Sequence, residues 1–320
     1  MKRSVFPKGF LKSAAGSWTE FAIESAIRVL GFSTIGLMAL IFLFLLKEGV
    51  PVFYEVPLGN LFGAHWYPTF DKFGTIPLIL ACHGGGDDPR QFVEEIGILP
   101  LAGKERFAIV APDHTSVANL LSDSLPRLVK LTLKNNPSLD PSRVYVTGYS
   151  MGGAATLRAI NGDPSVFAAA VPMAAAPYTG TAEQVKQFEK AHLPVMFTTS
   201  SYDLGGAFDS NAGHIAAGYQ TQLNLFLGYN GMKPLAFDFN TYPVNGFKAD
   251  SMIRVNLNGE YDCYRWFLND AEGTPMVALA YTMNLQHALY PEYGKIAWDF
   301  FKHYSRDQKT GAIKYNPYAR

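Results

Sequence analysis

Metal and thiol chemistry are thinly provided for in this chain. Its seven histidines form no cluster and no H-E-x-x-H, and its two cysteines, Cys82 and Cys263, make no paired knuckle. Those gaps argue against a metallohydrolase, and no metal or cofactor is expected. Two cysteines permit at most one bridge; Cys82 closes an apolar run, where cysteine commonly acts as a small hydrophobe, so two free thiols are expected. A surplus of one charge is missing as well, because 27 basic and 27 acidic residues cancel. That balance gives no reason to expect a nucleic-acid partner or strong electrostatic steering. Repeats and low-complexity tracts are also absent, which leaves an ordinary globular domain as the expectation.

What the chain does have is glycine in two telling places. Gly148-Tyr149-Ser150-Met151-Gly152, with Gly153 behind it, follows the β-branched and aromatic run Arg143 to Thr147 and precedes a helix opening at Gly152 to Ala159. A G-x-S-x-G on a strand-to-helix turn is the nucleophile elbow of α/β-hydrolases, tight enough to require glycine beside the serine. Upstream, the apolar strand Ile76 to Cys82 runs into His83-Gly84-Gly85-Gly86. No Lys-Ser/Thr follows, so a phosphate loop is excluded, and the order fits an oxyanion loop. Its expected backbone donors are Gly84 and Gly85, joined by Met151 after the nucleophile. The His83 ring is expected to pack beneath the loop.

A triad in this fold runs serine, acid, histidine. Leu193 to Thr199 reads as a buried strand, and Asp203 lies in the loop after it, with Asp209 and Asp262 as further candidates. Val277 to Tyr281 reads as the last strand, and His287 falls between it and an amphipathic helix from Tyr293 to Tyr304. His287 is therefore the expected base, with His214 its competitor. Between acid and base lies an insertion of about 204–270. In it, Gln220 to Leu227 looks helical, and Ser251 to Leu257 with Tyr261 to Leu268 looks like a hairpin around Asn258-Gly259. Tyr219, Phe226, Tyr229, Phe237, Phe239 and Tyr242 either line an acyl pocket or form a small core of the insertion itself.

From about Pro77 onward the sequence resembles α/β-hydrolases of the polyhydroxybutyrate-depolymerase and feruloyl-esterase type. Pro77 to Leu80 with the His83–Gly86 loop, Asp140 to Gly153, Phe167 to Pro172, and His287-Ala288 through Phe300 carry the resemblance. It implies a mostly parallel sheet flanked by helices. It also implies hydrolysis of a small or oligomeric carboxylic ester through an acyl-enzyme, with Ser150, Asp203 and His287 as nucleophile, acid and base. A serine peptidase of the same fold, or a non-catalytic fusion, are the alternatives.

The N-terminal quarter reads differently. Residues 29–46 carry no charge and are just long enough to cross a bilayer. Lys2, Arg3, Lys8, Lys12 and Arg28 precede them, and no small-x-small cleavage site follows. The expectation is a single-pass transmembrane helix with its N-terminus inside and the hydrolase domain outside. In domain terms this gives a segment 1–28, a helix 29–46, a linker 47–75 and a catalytic domain 76–320. Glu20 to about Leu80 is also similar to the start of a phosphate ABC-transporter permease subunit, implying a join near Ile76–Leu80. Hydrolases of this type place two antiparallel strands ahead of the first glycine loop. Val52–Val56 and His65–Tyr67 are the material expected to replace them, failing which an edge strand stays open.

Overall fold

Along each central strand the apolar side chains alternate between two cores, the period-two pattern of a sheet covered on both faces. Leu78, Leu80 and Cys82 enter one core while Ile79 and Ala81 enter the other. Val144 and Val146 oppose Tyr145 in the same way, and Val277 and Leu279 oppose Ala278 and Ala280. A computed structural model of the chain describes residues 14–55, 76–114, 123–178, 181–204 and 206–319.

The chain opens with α1 (Ala14–Glu55), then β1 (Ile76–Cys82), α2 (Pro89–Glu95), α3 (Ile98–Glu105) and β2 (Ala108–Val110). Next come α4 (Ser124–Asn135), β3 (Leu139–Tyr149), α5 (Met151–Gly162), β4 (Ala169–Met173), α6 (Ala182–Ala191) and β5 (Val195–Tyr202). Two short strands, β6 (Phe208–Asp209) and β7 (His214–Ile215), lead into α7 (Ala217–Tyr229). The hairpin β8 (Ser251–Leu257) and β9 (Tyr261–Asn269), then β10 (Pro275–Gln286), α8 (Tyr293–Phe301), β11 (Tyr304–Arg306) and β12 (Ile313–Tyr315) complete it.

Eight strands form the main sheet in the order β2-β1-β3-β4-β5-β10-β9-β8. The pairings from β2 to β10 are parallel, and β9 and β8 add antiparallel. The hairpin expected inside the insertion is therefore present at its expected place, but it extends the main sheet. The aromatic group is likewise corrected. Tyr219, Phe226 and Tyr229 are buried with Phe188 of α6 and Phe197 of β5 in edge-on and stacked contacts, as part of the domain core. Phe237 and Phe239 pack against that core from its margin.

Arg306 ties the C-terminal hairpin down. It is 3% exposed, and its guanidinium donates to the carbonyls of Phe167, Ala191 and Gly311 at 2.7 Å each and of Pro164 at 3.4 Å. Burial pulls its pKa down to about 10, so it stays charged at neutral pH.

Contacts divide the chain into two units, Met1–Gly63 and Ala64–Arg320. In the first, α1 is longer than the expected 29–46 and its most apolar stretch is Phe21–Phe44. At 1.5 Å per residue those 24 residues reach about 36 Å, beyond the ~30 Å of a bilayer's hydrocarbon. The side chains of this stretch are exposed. Glu24 and Arg28 pair at 2.8 Å, and Ser33 and Thr34 return their hydroxyls to the carbonyls of Val29 and Leu30. The first expected edge strand is corrected too: residues 52–55 are the last turn of α1. Val56 and His65–Tyr67 lie outside the described residues. Among the described residues β2 is the outermost strand on that side.

Candidate active site

Parallel strands deliver their C-terminal ends to one edge of the sheet, where α/β folds place their chemistry. Four loops meet there: the glycine loop after β1, the elbow after β3, Asp203 after β5 and His287 after β10.

The elbow is built by close approach. A Cβ on Gly148 or Gly152 would drive into the carbonyl oxygens of Cys82 and Gly152 or of Cys82 and His83, and one on Gly153 into that of Met173. Ser150 itself sits at φ 55° and ψ −115°, a conformation that side chains rarely adopt and that costs about 1–3 kcal/mol. Its N–H donates to Met173 O at 2.9 Å, and its carbonyl starts α5 by accepting from Ala154. This geometry lifts the hydroxyl out of the turn.

Ser150 Oγ lies 2.9 Å from His287 Nε2, and His287 Nδ1 makes a short hydrogen bond to Asp203 Oδ1. The Asp203 side chain is 1% exposed and takes a second hydrogen bond from Thr199 Oγ1 at 3.3 Å. With the carboxylate accepting at Nδ1, the neutral imidazole presents Nε2 to the serine as an acceptor. Tyr149 covers the imidazole, ring centres 4.9 Å apart.

The competitors are occupied elsewhere. Asp209 caps its own turn by accepting from Asn211 and Ala212, and Asp262 pairs with Arg254 at 2.6 Å. His214 stacks on Phe239 and points Nδ1 at the carbonyl of Ile215.

Gly84, expected as an oxyanion donor, gives its N–H to Asp87 Oδ2 at 3.0 Å. Gly85 remains, with open space around its Cα, and Met151 opens α5, where an N–H has no acceptor within the helix. Asp88, the next residue, caps α2 through the amides of Arg90 and Gln91. His83 packs as expected. It is 2% exposed, donates from Nδ1 to Gly84 O at 2.7 Å, and accepts the His114 N–H on Nε2 at 3.0 Å. The His114 ring stacks on it, and burial foremost pushes the His114 pKa down.

Sequence reasoning did not find Asp87 or Ser201. Ser201 Oγ meets Tyr281 Oη at 2.6 Å and accepts the Asn284 N–H at 2.8 Å, pinning the bulge just before His287. A serine at the end of a buried strand was the available signal for the second; for Asp87 there was only its neighbour's capping role. Cys82 and Cys263 are both free and buried, and burial raises the Cys82 thiol to about 12.

The prolyl oligopeptidase family model matches residues 125–213, under a third of the chain, a stretch that includes the elbow and Asp203. Among curated proteins, poly(3-hydroxyalkanoate) depolymerase C of Paucimonas lemoignei is 29% identical over 175 residues, covering 49% of this chain and 38% of that protein. The match thus spans under two fifths of that relative's length. Among solved structures, an acetyl xylan esterase from Aspergillus awamori aligns at 14% identity and TM-score 0.45, over 71% of this chain and 89% of its own. SOBER1 of Arabidopsis thaliana aligns at 14% and 0.41, over 71% and 98%. With its mostly parallel sheet flanked by helices and its strand-to-helix elbow, the chain has the α/β-hydrolase fold and is similar to esterases and a depolymerase.

Proposed function

We propose that this chain is a serine carboxylic-ester hydrolase, with Ser150 as nucleophile, His287 as general base and acid, and Asp203 as its orienting carboxylate. The observation that carries the reading is the unbroken run of hydrogen bonds from Ser150 Oγ through the imidazole to a buried carboxylate. Ser150 Oγ attacks the ester carbonyl carbon as its proton passes to Nε2. The carbonyl oxygen becomes an alkoxide facing the N–H groups of Gly85 and Met151, donors of a kind worth about 3–4 kcal/mol of barrier each. The C–O bond to the alcohol then breaks, and the alcohol departs with the proton from His287. Water, deprotonated by the same nitrogen, attacks the acyl-enzyme and releases the acid. No step needs a metal or cofactor.

A fluorophosphonate probe tests this without knowledge of the substrate. The wild type is expected to be labelled, and Ser150→Ala to lose labelling completely while keeping its melting temperature. Labelling that survives in Ser150→Ala would mean another nucleophile. An unlabelled wild type would favour a non-catalytic chain.

The prolyl oligopeptidase match favours a second reading, a serine peptidase using the same groups. Matched ester and amide substrates assayed side by side separate the two, since the ester reading expects turnover of the ester alone.

The partner of α1 is proposed to be a bilayer, crossed once at Phe21–Phe44 with the basic N-terminal residues inside and the hydrolase unit outside. Full-length protein is then expected in the membrane pellet after a high-salt wash, since burial of this stretch is apolar rather than ionic. Recovery in the soluble fraction without detergent would refute the anchor.

A further inference from the structure

Arginines buried in this fold are satisfied. Arg306 has four carbonyls, and even the exposed Arg254 has Asp262. Arg265 is the exception. It is 6% exposed, its Nε has no hydrogen-bond partner, and among the described residues its guanidinium makes neither a hydrogen bond nor an ion pair. Its cross-strand neighbours, Ile253 and Ala280, bring no side-chain acceptor. A buried, unpaired charge costs several kcal/mol in general, so a partner for it is the first thing to look for.

Arg265 lines a cavity of about 370 Å³ between β9, the end of α8 and the β11–β12 hairpin. Lys302 and His303 stand in the same wall, and Phe267, Phe300 and Tyr315 supply apolar surface. The one carboxylate there, Asp299, is already held by Lys295 at 2.5 Å and Lys302 at 3.5 Å. His303 directs Nδ1 to Asn316 O at 2.8 Å, and burial, with Lys302 and Arg265 nearby, lowers its pKa. The cavity is therefore cationic at its base and aromatic at its sides, in the size range of small-molecule sites.

We propose that this cavity is a second binding site, taking a small organic oxyanion whose carboxylate or phosphate pairs with the Arg265 guanidinium and whose apolar group lies among the aromatic walls. A planar guanidinium matches both oxyanions through paired N–H donors. The site is remote from the triad. Pro275, in its wall, begins β10, and His287 follows the other end of that strand, roughly 30 Å away at ~3.3 Å per residue once the strand's two bulges are discounted. The proposal does not depend on the ester reading.

Thermal melts of the full chain in detergent, at matched ionic strength, test it with benzoate as the probe. Benzoate should raise the melting temperature in a saturable way, and neutral benzamide should not. Inorganic phosphate distinguishes the sources: a shift as large as benzoate's assigns the site to a free oxyanion, a smaller one to an anion on an apolar body. Arg265→Met should fold at least as stably without ligand and weaken benzoate at least about tenfold, as expected for charged hydrogen bonds. Arg265→Lys should fall between. No shift of the wild type by benzoate or phosphate would overturn the proposal. So would a benzoate shift that survives in Arg265→Met, which would place the anion elsewhere, the active site included.

Discussion

His287→Ala is expected to lower ester turnover by about six orders of magnitude, the scale found when the base of a comparable triad is removed. The serine hydroxyl is a poor nucleophile until its proton has somewhere to go, and Nε2 at 2.9 Å is the acceptor within reach. The same nitrogen must protonate the leaving alcohol and activate water, so one substitution disables three steps. What is expected to survive is the contribution of binding and of the proposed Gly85 and Met151 donors, about 10³–10⁴ over water in other triads. The kcat of purified His287→Ala, set beside that of His214→Ala, checks this. Near-normal turnover in His287→Ala would remove the histidine from the mechanism. A large loss in His214→Ala would contradict the engagement of that ring with Phe239 and the Ile215 carbonyl.

The second largest effect belongs to the acid. Asp203→Asn is expected to cost about 10⁴ in kcat with KM little changed. An amide nitrogen facing Nδ1 would donate where the carboxylate accepts, turning the imidazole to the tautomer whose Nε2 carries the proton. That nitrogen can no longer receive the serine proton. Burial sharpens the effect, because a side chain 1% exposed leaves no room for water to restore the lost acceptor. Asp209→Asn and Asp262→Asn, confined to a turn and a surface ion pair, are expected to stay within about twofold of wild type. A larger loss at Asp209 than at Asp203 would refute the assignment.

The parts of the fold legible in advance share a local cause. β1 begins and ends where its apolar run does, because a strand buried on both faces has no polar positions and the glycine loop stops it. The elbow, Asp203 and His287 could be placed because each follows such a strand. Long-range pairing was not legible. The apolar run of the last strand ends at Tyr281, yet β10 continues to Gln286 through a mixed polar and apolar tail held by Ser200 and Ser201. Asn284, at φ 61°, absorbs the extra residues of the bulge that brings His287 to the serine. The β8–β9 hairpin announced its turn at Asn258-Gly259, but which strand it would join depends on β10, beyond any local window. Gly84 and Gly85 are equivalent as letters. A carboxylate three residues on separates their roles, and only the folded loop places it.

The Arg306 clamp has a consequence for the order in which the chain matures. The carbonyls it gathers at Pro164, Phe167 and Ala191 are made 142, 139 and 115 residues before it. At about 5–20 residues per second of synthesis, those acceptors wait roughly 6–28 s for their donor. During that interval α1 has already emerged, with its apolar stretch facing outward. The seam between the start of β4 and the end of α6 can be sealed only late, by a residue of the final hairpin. Emergence of the N-terminal helix and completion of the core are thereby separated in time. The helix is complete long before the core commits to its folded state.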